Sequence, residues 1–259
     1  PATASGQSLD FLVLYPKDDG NWTGFSQLKY TVPQTNASQV DLMYATTYNQ
    51  TQTTNSGTVA LNLKHALSAI SFKAKKESDN MTVKVSGIDL CKVKTAGTFA
   101  FPTVSTGNTN SDSYVNCWTL DDTSGTLSAG FSSTQNLTTS YQTINATDGV
   151  VMMLPQTLTA WVPANGGPEA ATQTGAYLVI HCSAYSSGRY VIGGADNDNG
   201  LIYAPIEGEF KAGKHYELVM DFGLGYNDEG KPNRLMVDLT ASIKSWSTEG
   251  FTPSPLYPN

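Results

Sequence analysis

Short runs of alternating apolar and polar residues constrain this chain more than any other feature. The longest run covers residues 235–243, and its apolar members are Leu235, Val237, Leu239, Ala241 and Ile243. Similar runs cover residues 178–184 and 216–222. A period of two places every second side chain on one face of an extended strand. Clusters of Gly, Asn and Pro separate the runs, so the sequence predicts an all-β protein built from antiparallel β-sandwiches.

In two places the apolar residues switch between odd and even positions within what would otherwise be one strand. Leu63 and His65 end one run, and Ile70 begins the next on the opposite parity. Because a one-residue slip moves every side chain to the other face, we expect a bulge or a helical turn at Ala66–Ala69. Gly87 marks a second phase change of the same kind.

The stretch from Pro102 to Ser113 is the most turn-like part of the chain, since it is rich in Ser, Thr, Asn and Gly. It is therefore the preferred position for a linker. A length of 259 residues suits one large domain or two ordinary ones. We predict two β-sandwich domains in tandem, one over residues 1–104 and one over residues 115–259.

Composition and charge exclude several classes of protein. A hydrophobic content of 39% is sufficient for a buried hydrophobic core. Only 14% of residues are charged, and the net charge is −7. No dense basic patch is visible, which argues against nucleic-acid binding. The apolar runs are too short to span a bilayer, and no leader pattern precedes the first strand. Residues 95–188 contain no Lys or Arg, which suits a protein exposed to proteases outside the cell, although compositional drift explains the gap equally well.

The three histidines do not form a metal site, because none of the spacings typical of zinc ligands occurs between them. His65 lies on an apolar strand face, which favours a structural role. His181 lies in the middle of a predicted strand, and His215 begins another. No Gly-x-Ser-x-Gly motif is present either.

Two acidic features are candidates for a catalytic site or a calcium site. Glu207 and Glu209 could form a carboxylate pair of the kind found in glycosidases, but their strand pattern predicts that both face water. The stretch 196–200 resembles a calcium-binding loop, yet Gly200 stands fifth where such loops place it sixth, which favours a polar hairpin loop. We therefore predict no catalytic residue, no metal ligand and no cofactor.

Three cysteines are too few for a disulfide framework. Cys182 shares an apolar strand face, which predicts an inert buried thiol. Cys91 and Cys117 flank the expected linker, so a bridge between them and a pair of free thiols both stay open.

Several segments together resemble the fimbrillins, the type V pilins and pilin-like surface proteins of Gram-negative anaerobes. The most specific segment is Val59–Phe72, which contains His65-Ala-Leu-Ser. Weaker similarities occur at Asp41–Thr46, Val85–Leu90, Gly97–Phe99, Met153–Thr157, Gly213–Tyr216 and Ile243–Trp246. The resemblance covers the chain from Phe11 to Trp246.

The resemblance implies two transthyretin-like sandwich domains, export as a lipoprotein and assembly on the outer surface. In stalk members, a protease removes an N-terminal segment, and a strand of a neighbouring subunit fills the exposed groove. Such strand addition obtains affinity from backbone hydrogen bonds and specificity from alternate side chains. The family function implied is a non-enzymatic pilin or adhesin component whose partners are other pilin subunits and a surface glycan or protein.

The two ends of the sequence depart from the family pattern. Family members usually have several tens of residues before the Phe11–Pro16 stretch, including a lipidated Cys, so we expect a truncated or processed chain. After Trp246 the sequence contains Pro253, Pro255 and Pro258, and a proline-rich tail is a poor donor strand. This leaves room for a tip, anchor or non-polymerising role.

The partner groove is expected in the N-terminal domain. The residues predicted to border it are Leu9, Phe11, Val13 and Tyr15, because this run is apolar on both faces. An alternative function is a secreted carbohydrate-binding or glycan-hydrolysing β-sandwich. Its aromatic platform would be drawn from Trp118, Trp161, Tyr185, Tyr190 and Tyr203, and it would require a cleft lined by carboxylates.

Overall fold

In a computed structural model, the described residues are 7–16, 22–24, 26–106, 116–144, 149–162, 173–194, 200–226 and 232–245. They contain nineteen strands, two short 3-10 turns (Asn36–Ser38 and Thr54–Gly57) and no α-helix. The first ten strands are β1 (Leu9–Tyr15), β2 (Trp22–Gly24), β3 (Gln27–Thr31), β4 (Met43–Gln50), β5 (Lys64–His65), β6 (Ser68–Lys76), β7 (Met81–Lys94), β8 (Ala96–Ala100), β9 (Trp118–Leu120) and β10 (Ser124–Asn136). The others are β11 (Gln142–Thr143), β12 (Val151–Met153), β13 (Gln156–Leu158), β14 (Tyr177–Ser186), β15 (Arg189–Ile192), β16 (Gly200–Pro205), β17 (Gly208–Phe210), β18 (Lys214–Tyr226) and β19 (Pro232–Ser245).

These strands form five sheets. Sheet A has the order β1-β4-β5, and sheet B has the order β2-β3-β8-β9. Sheet C has the order β10-β7-β14-β15, with β16 also paired to β14. Sheet D has the order β11-β6-β18-β19, with β12 also paired to β6, and sheet E consists of β13 and β17. Among the pairings between the described strands only β6 with β18 is parallel, and two isolated bridges are parallel as well, so the predicted all-β, mainly antiparallel architecture is confirmed.

The phase change predicted at Gly87 is a β-bulge in β7. Gly87 pairs with His181 and Val85 pairs with Cys182, so Ser86 has no counterpart on β14. Val85 and Ile88 are both buried as a result, although they differ by an odd number of positions. The bulge lets β7 present apolar residues to the core on both sides of the irregularity.

The phase change predicted at Ala66–Ala69 has a different cause from the one expected. β5 ends in sheet A and β6 begins in sheet D, and the two residues between them, Ala66 and Leu67, are fully buried. The chain neither bulges nor turns helically here; it leaves one sheet and enters another. Residues 68–72 of β6 are buried on both faces, so the change of parity marks the change of sheet.

The sheets divide the strands differently from the predicted ranges 1–104 and 115–259. Sheets A and B contain only β1–β5, β8 and β9, whereas sheets C, D and E contain β6, β7 and β10–β19. β6 and β7 thus pair with β18 and β14, which lie beyond residue 115. Long-range hydrogen bonding decides which strands share a sheet, and the division into domains over residues 1–104 and 115–259 stays a prediction. The tandem transthyretin-like organisation stays a prediction.

The beginning of the expected linker packs against sheet A. Thr106 exchanges hydrogen bonds with the backbone of Thr46, and the Thr46 hydroxyl donates to the Val104 carbonyl oxygen over 2.6 Å. The Tyr48 hydroxyl donates to the Pro102 carbonyl oxygen over 2.8 Å. Residues 102–106 therefore cover the edge of β4 beyond β5. Residues 107–113 of the expected linker lie outside the described part.

One buried apolar cluster extends through both groups of sheets. On the side of sheets A and B it is aromatic, since the Phe99 ring lies 5.0 Å from Tyr44 and 5.3 Å from Trp118 between centroids. Such tilted contacts are favourable beyond the area that they bury. Burial of each large side chain contributes roughly 1.5–3 kcal/mol.

A segment over residues 32–39, which we call the bridging segment, joins the two groups of sheets. The Val32 amide donates to the Thr95 carbonyl oxygen, and the Ser128 amide donates to the Gln34 carbonyl oxygen over 2.7 Å. The Gln39 side-chain oxygen accepts from the Met152 amide over 2.6 Å. Sheets B, C and D are thereby connected through one short stretch of chain.

Candidate functional site: the open edge of strand β1

Strand β1 lies at the edge of sheet A. It pairs antiparallel with β4, with Phe11 opposite Thr47, Val13 opposite Ala45 and Tyr15 opposite Met43. No described strand pairs with the other side of β1. An unpaired strand edge presents backbone donors and acceptors that can accept a further strand.

The hydrogen bonds of β4 show which backbone groups of β1 face outwards. The Leu42 carbonyl accepts from Ala66, and the backbone groups of Thr46 bond to Thr106, so these residues point away from β1. The alternation of an antiparallel ladder then directs Met43, Ala45 and Thr47 towards β1. Their partners Phe11, Val13 and Tyr15 point inwards. The backbone N–H and C=O groups of Leu12 and Leu14 therefore face the open edge.

The side chains of β1 alternate in the same way. Leu12 and Leu14 pack against the main core. Phe11 and Val13 lie on the opposite face and are half-buried, whereas Leu9 and Tyr15 are 41% and 37% exposed. The structure thus places the four predicted residues Leu9, Phe11, Val13 and Tyr15 together on one face of an edge strand. Whether they border a partner groove stays a prediction.

Sequence reasoning missed Leu12 and Leu14, whose backbone groups are the ones available at this edge. The sequence signal is weak because the run is apolar on both faces. Only the register with β4 shows which residues have outward backbone groups.

The three histidines lie apart and have separate partners. His65 Nδ1 lies 2.6 Å from an Asp41 carboxylate oxygen, and His181 Nε2 lies 2.8 Å from one of Asp89. His215 Nε2 lies 2.8 Å from the Ser71 hydroxyl. The structural role predicted for His65 agrees with its hydrogen bond to Asp41. Within the described ranges, no three residues of the metal-ligating types come together.

The acidic pair considered for catalysis is exposed, as predicted. Glu207 lies in the turn between β16 and β17, and Glu209 lies in β17 with a carboxylate oxygen 3.1 Å from Lys211 Nζ. Residues 196–199 of the calcium-like stretch lie outside the described part, and Gly200 begins β16.

The cysteines are all unbridged and buried, so the structure contains no bond between Cys91 and Cys117. Burial raises the pKa of the Cys117 thiol, and its contact with the Tyr44 hydroxyl lowers it by less. Cys182 is fully buried, as expected.

The aromatic residues considered as a platform do not lie on one surface. Trp118 and Trp161 are buried, and Tyr203 packs near Trp161 at 6.5 Å between centroids. Tyr185 and Tyr190 are the exposed members, and they contact each other edge-on at 5.1 Å in the β14–β15 hairpin.

Comparison with known proteins decides the family. The model of the fimbrillin-like family matches residues 3–246. The chain belongs to the fimbrillin-like family. No curated protein matches the sequence.

Solved structures resemble this fimbrillin-like chain at low sequence identity. A fimbrial protein from Bacteroides vulgatus is 15% identical with a TM-score of 0.50, over 91% of this chain and 72% of that one. A "putative cell adhesion protein" from Bacteroides ovatus is 12% identical with a TM-score of 0.49, over 93% and 70%. One from Bacteroides uniformis is 16% identical with a TM-score of 0.43, over 92% and 73%. At these identities, the likeness to the Bacteroides vulgatus protein supports the fold alone.

The fimbrillin-like signature residues have structural roles. Val59–Phe72 contains the crossing from sheet A to sheet D. Gly97 in β8 is required because a Cβ there would lie 2.7 Å from the Thr119 carbonyl oxygen of β9. The described part of the chain includes no helix of the length and apolar character needed to cross a membrane.

Proposed function

We propose that this fimbrillin-like protein is a non-enzymatic pilin or adhesin component that accepts a partner strand at the open edge of β1. The observation that carries the proposal is the pair of outward backbone groups at Leu12 and Leu14 in a half-buried apolar strand. An added strand would satisfy these groups and cover the exposed apolar side chains of β1. The partner is another pilin subunit, and the assembly lies on the cell surface.

The chemistry of the edge supports this role better than a passive one. Proteins usually protect exposed edges with charges, prolines or bulges. Asp10 and a register irregularity lie at one end of β1 and Pro16 follows the other end, but Leu12, Val13 and Leu14 in the middle of the strand are all apolar. An edge of this kind promotes aggregation unless a defined partner covers it.

The test compares Leu12→Pro with Leu12→Ala in cells that produce the protein. Proline removes the outward N–H and leaves the inward bonds of Val13 to β4 intact, whereas alanine retains the N–H and loses more apolar surface. Both variants should fold with a loss of roughly 1–2 kcal/mol in the free energy of unfolding. Negative-stain microscopy with antibody to the chain should show surface filaments for the wild type and Leu12→Ala, but not for Leu12→Pro.

Normal assembly of Leu12→Pro would contradict strand addition at β1. Equal loss of assembly in both variants would also contradict it, because the side chain and not the backbone group would then be needed. Circular dichroism of the purified variants checks that both are folded.

A further inference from the structure

Residues 59–63, which we call the apolar segment, lie immediately before β5 and belong to no strand. Every second residue of the segment is a large apolar one, namely Val59, Leu61 and Leu63. Leu61 and Leu63 are 45% and 47% exposed. Within the described part of the chain, one hydrogen bond reaches the segment, from the Thr47 hydroxyl to the Ala60 carbonyl oxygen over 2.6 Å. The segment thus has the alternation of a strand and lies beside β4, but its backbone has no strand partner.

The register of β5 shows where this segment would pair. β5 pairs antiparallel with the first two residues of β4. If the same register continued, Leu63 would lie opposite Ala45 and Leu61 opposite Thr47. Residues directly opposite each other point to the same face of a sheet. Because Ala45 also lies opposite Val13 of β1, the two leucines would extend an apolar face that sheet A already has.

The edge of β4 that a longer β5 would need is occupied by residues 102–106, which we call the covering segment. The Thr106 amide donates to the Thr46 carbonyl oxygen over 2.9 Å. The Thr46 amide donates to the Thr106 hydroxyl oxygen over 3.3 Å, and the Tyr48 amide donates to the Ser105 hydroxyl oxygen over 2.9 Å. Two segments of the chain therefore compete for the same backbone groups of β4.

The two competitors bind this edge by different means. The covering segment uses mainly hydroxyl groups, whereas a longer β5 would place Asn62 opposite Thr46 and Ala60 opposite Tyr48 in a regular backbone ladder. Asn62 would then point to the core side of sheet A, where Thr46 is fully buried. Burial of an amide side chain is costly, and Asn is a poor strand former. Asn62 is therefore the residue that opposes the longer strand.

We propose that the apolar segment is a strand held out of sheet A by the covering segment, and that the two exchange places on β4. Pairing of the apolar segment moves Leu61 and Leu63 from solvent onto the sheet and releases residues 102–106. The exchange occurs on the side of β4 that faces away from β1, so it is separate from strand addition at β1.

The test is amide hydrogen exchange of the purified full chain, read by mass spectrometry for each segment. Asn62→Val replaces the opposing amide with an apolar strand former. It should slow exchange in the apolar segment at least about tenfold and speed exchange in the covering segment. Asn62→Pro is the matched control, because it removes the N–H that would donate to Thr46, and it should exchange like the wild type. Asn62 is exposed, so both variants should fold.

A second variant removes the competitor. Ser105→Ala with Thr106→Pro deletes the hydrogen bonds of both residues to β4 and should likewise protect the apolar segment. Adding Asn62→Pro to this variant should abolish that protection and leave the covering segment open to exchange.

Three outcomes would overturn the proposal. They are fast exchange of the apolar segment in Asn62→Val or in the Ser105→Ala/Thr106→Pro variant, protection that survives Asn62→Pro, and unchanged exchange of the covering segment when its bonds to β4 are deleted. Circular dichroism checks that each variant is folded. Since the isolated chain is measured without a partner, the result does not depend on strand addition at β1.

Discussion

Raising the pH above 10 should destabilise this protein through Tyr30. Tyr30 lies half-buried in β3, with its ring 6.1 Å from that of Trp118. Burial, and then the negative charge of Asp41, raise the pKa of its hydroxyl from 10 to about 12. The folded state therefore holds this proton more tightly than the unfolded chain does.

The sign and size of the effect follow from linkage. A raised pKa contributes stability that is fully present below about pH 10 and is lost as the pH rises towards 12. A shift of about two units corresponds to roughly 2–3 kcal/mol in the free energy of unfolding. Tyr30→Phe retains the ring and removes the titrating group, so its free energy of unfolding should fall less between pH 9 and 12. Some pH dependence should persist, because burial also raises the pKa of Tyr48 and Tyr216.

The assay is urea unfolding of the wild type and variants at several values between about pH 8 and pH 12. Tyr190→Phe is the control, since its side chain is 41% exposed, and it should follow the wild type. Tyrosinate absorbance is measured against pH for the wild type and Tyr30→Phe. The difference between the two curves gives the pH at which Tyr30 ionises. If Tyr30→Phe lost stability as steeply as the wild type, or if Tyr30 ionised near its ordinary value, the argument from burial and Asp41 would be refuted.

Three further predictions concern packing, the bridging segment and the cysteines. Gly97→Ala should lower the free energy of unfolding by roughly 1–3 kcal/mol, because its Cβ would meet the Thr119 carbonyl oxygen. Gly130→Ala, whose Cβ would meet nothing within 4 Å, should be nearly neutral in the same urea titration. Gln39→Ala should cost roughly 1–3 kcal/mol, since it removes the acceptor of a backbone amide, and equal stability would disprove that role. Reductant should leave the melting temperature unchanged because the three thiols are unbridged, and a shift would reveal a disulfide.

The strands and their buried faces could be predicted because side-chain alternation is a local property. Leu178, Ile180 and Cys182 are all buried on one face of β14, as their spacing predicts, although Tyr177 and Val179 on the other face are buried as well. The irregularities at Ala66–Ala69 and Gly87 were also visible as changes of parity. Parity alone does not distinguish a bulge from a change of sheet, since both move the apolar residues to the other register. The cause at Ala66 therefore needed the structure.

The pairing of strands could not be predicted in this way. β6 lies near the middle of the first half of the sequence but pairs in parallel with β18, with Ile70 opposite Tyr216. Paired strands can lie more than a hundred residues apart in the sequence. The sequence of one strand does not indicate which distant strand pairs with it.

The β1 edge shows how backbone and side-chain directions together constrain a partner strand. Leu12 and Leu14 have outward backbone groups and side chains that face the core. Residues directly opposite each other in neighbouring strands point to the same face of a sheet. Donor residues opposite Leu12 and Leu14 would therefore also face the core and must be apolar, whereas those opposite Val13 would lie beside the Phe11–Tyr15 face. A one-residue shift of the donor would exchange the two sets. If β1 accepts a strand as proposed, partner choice would depend on register as much as on composition, and a donor with polar residues at every second position would bind in only one of the two registers.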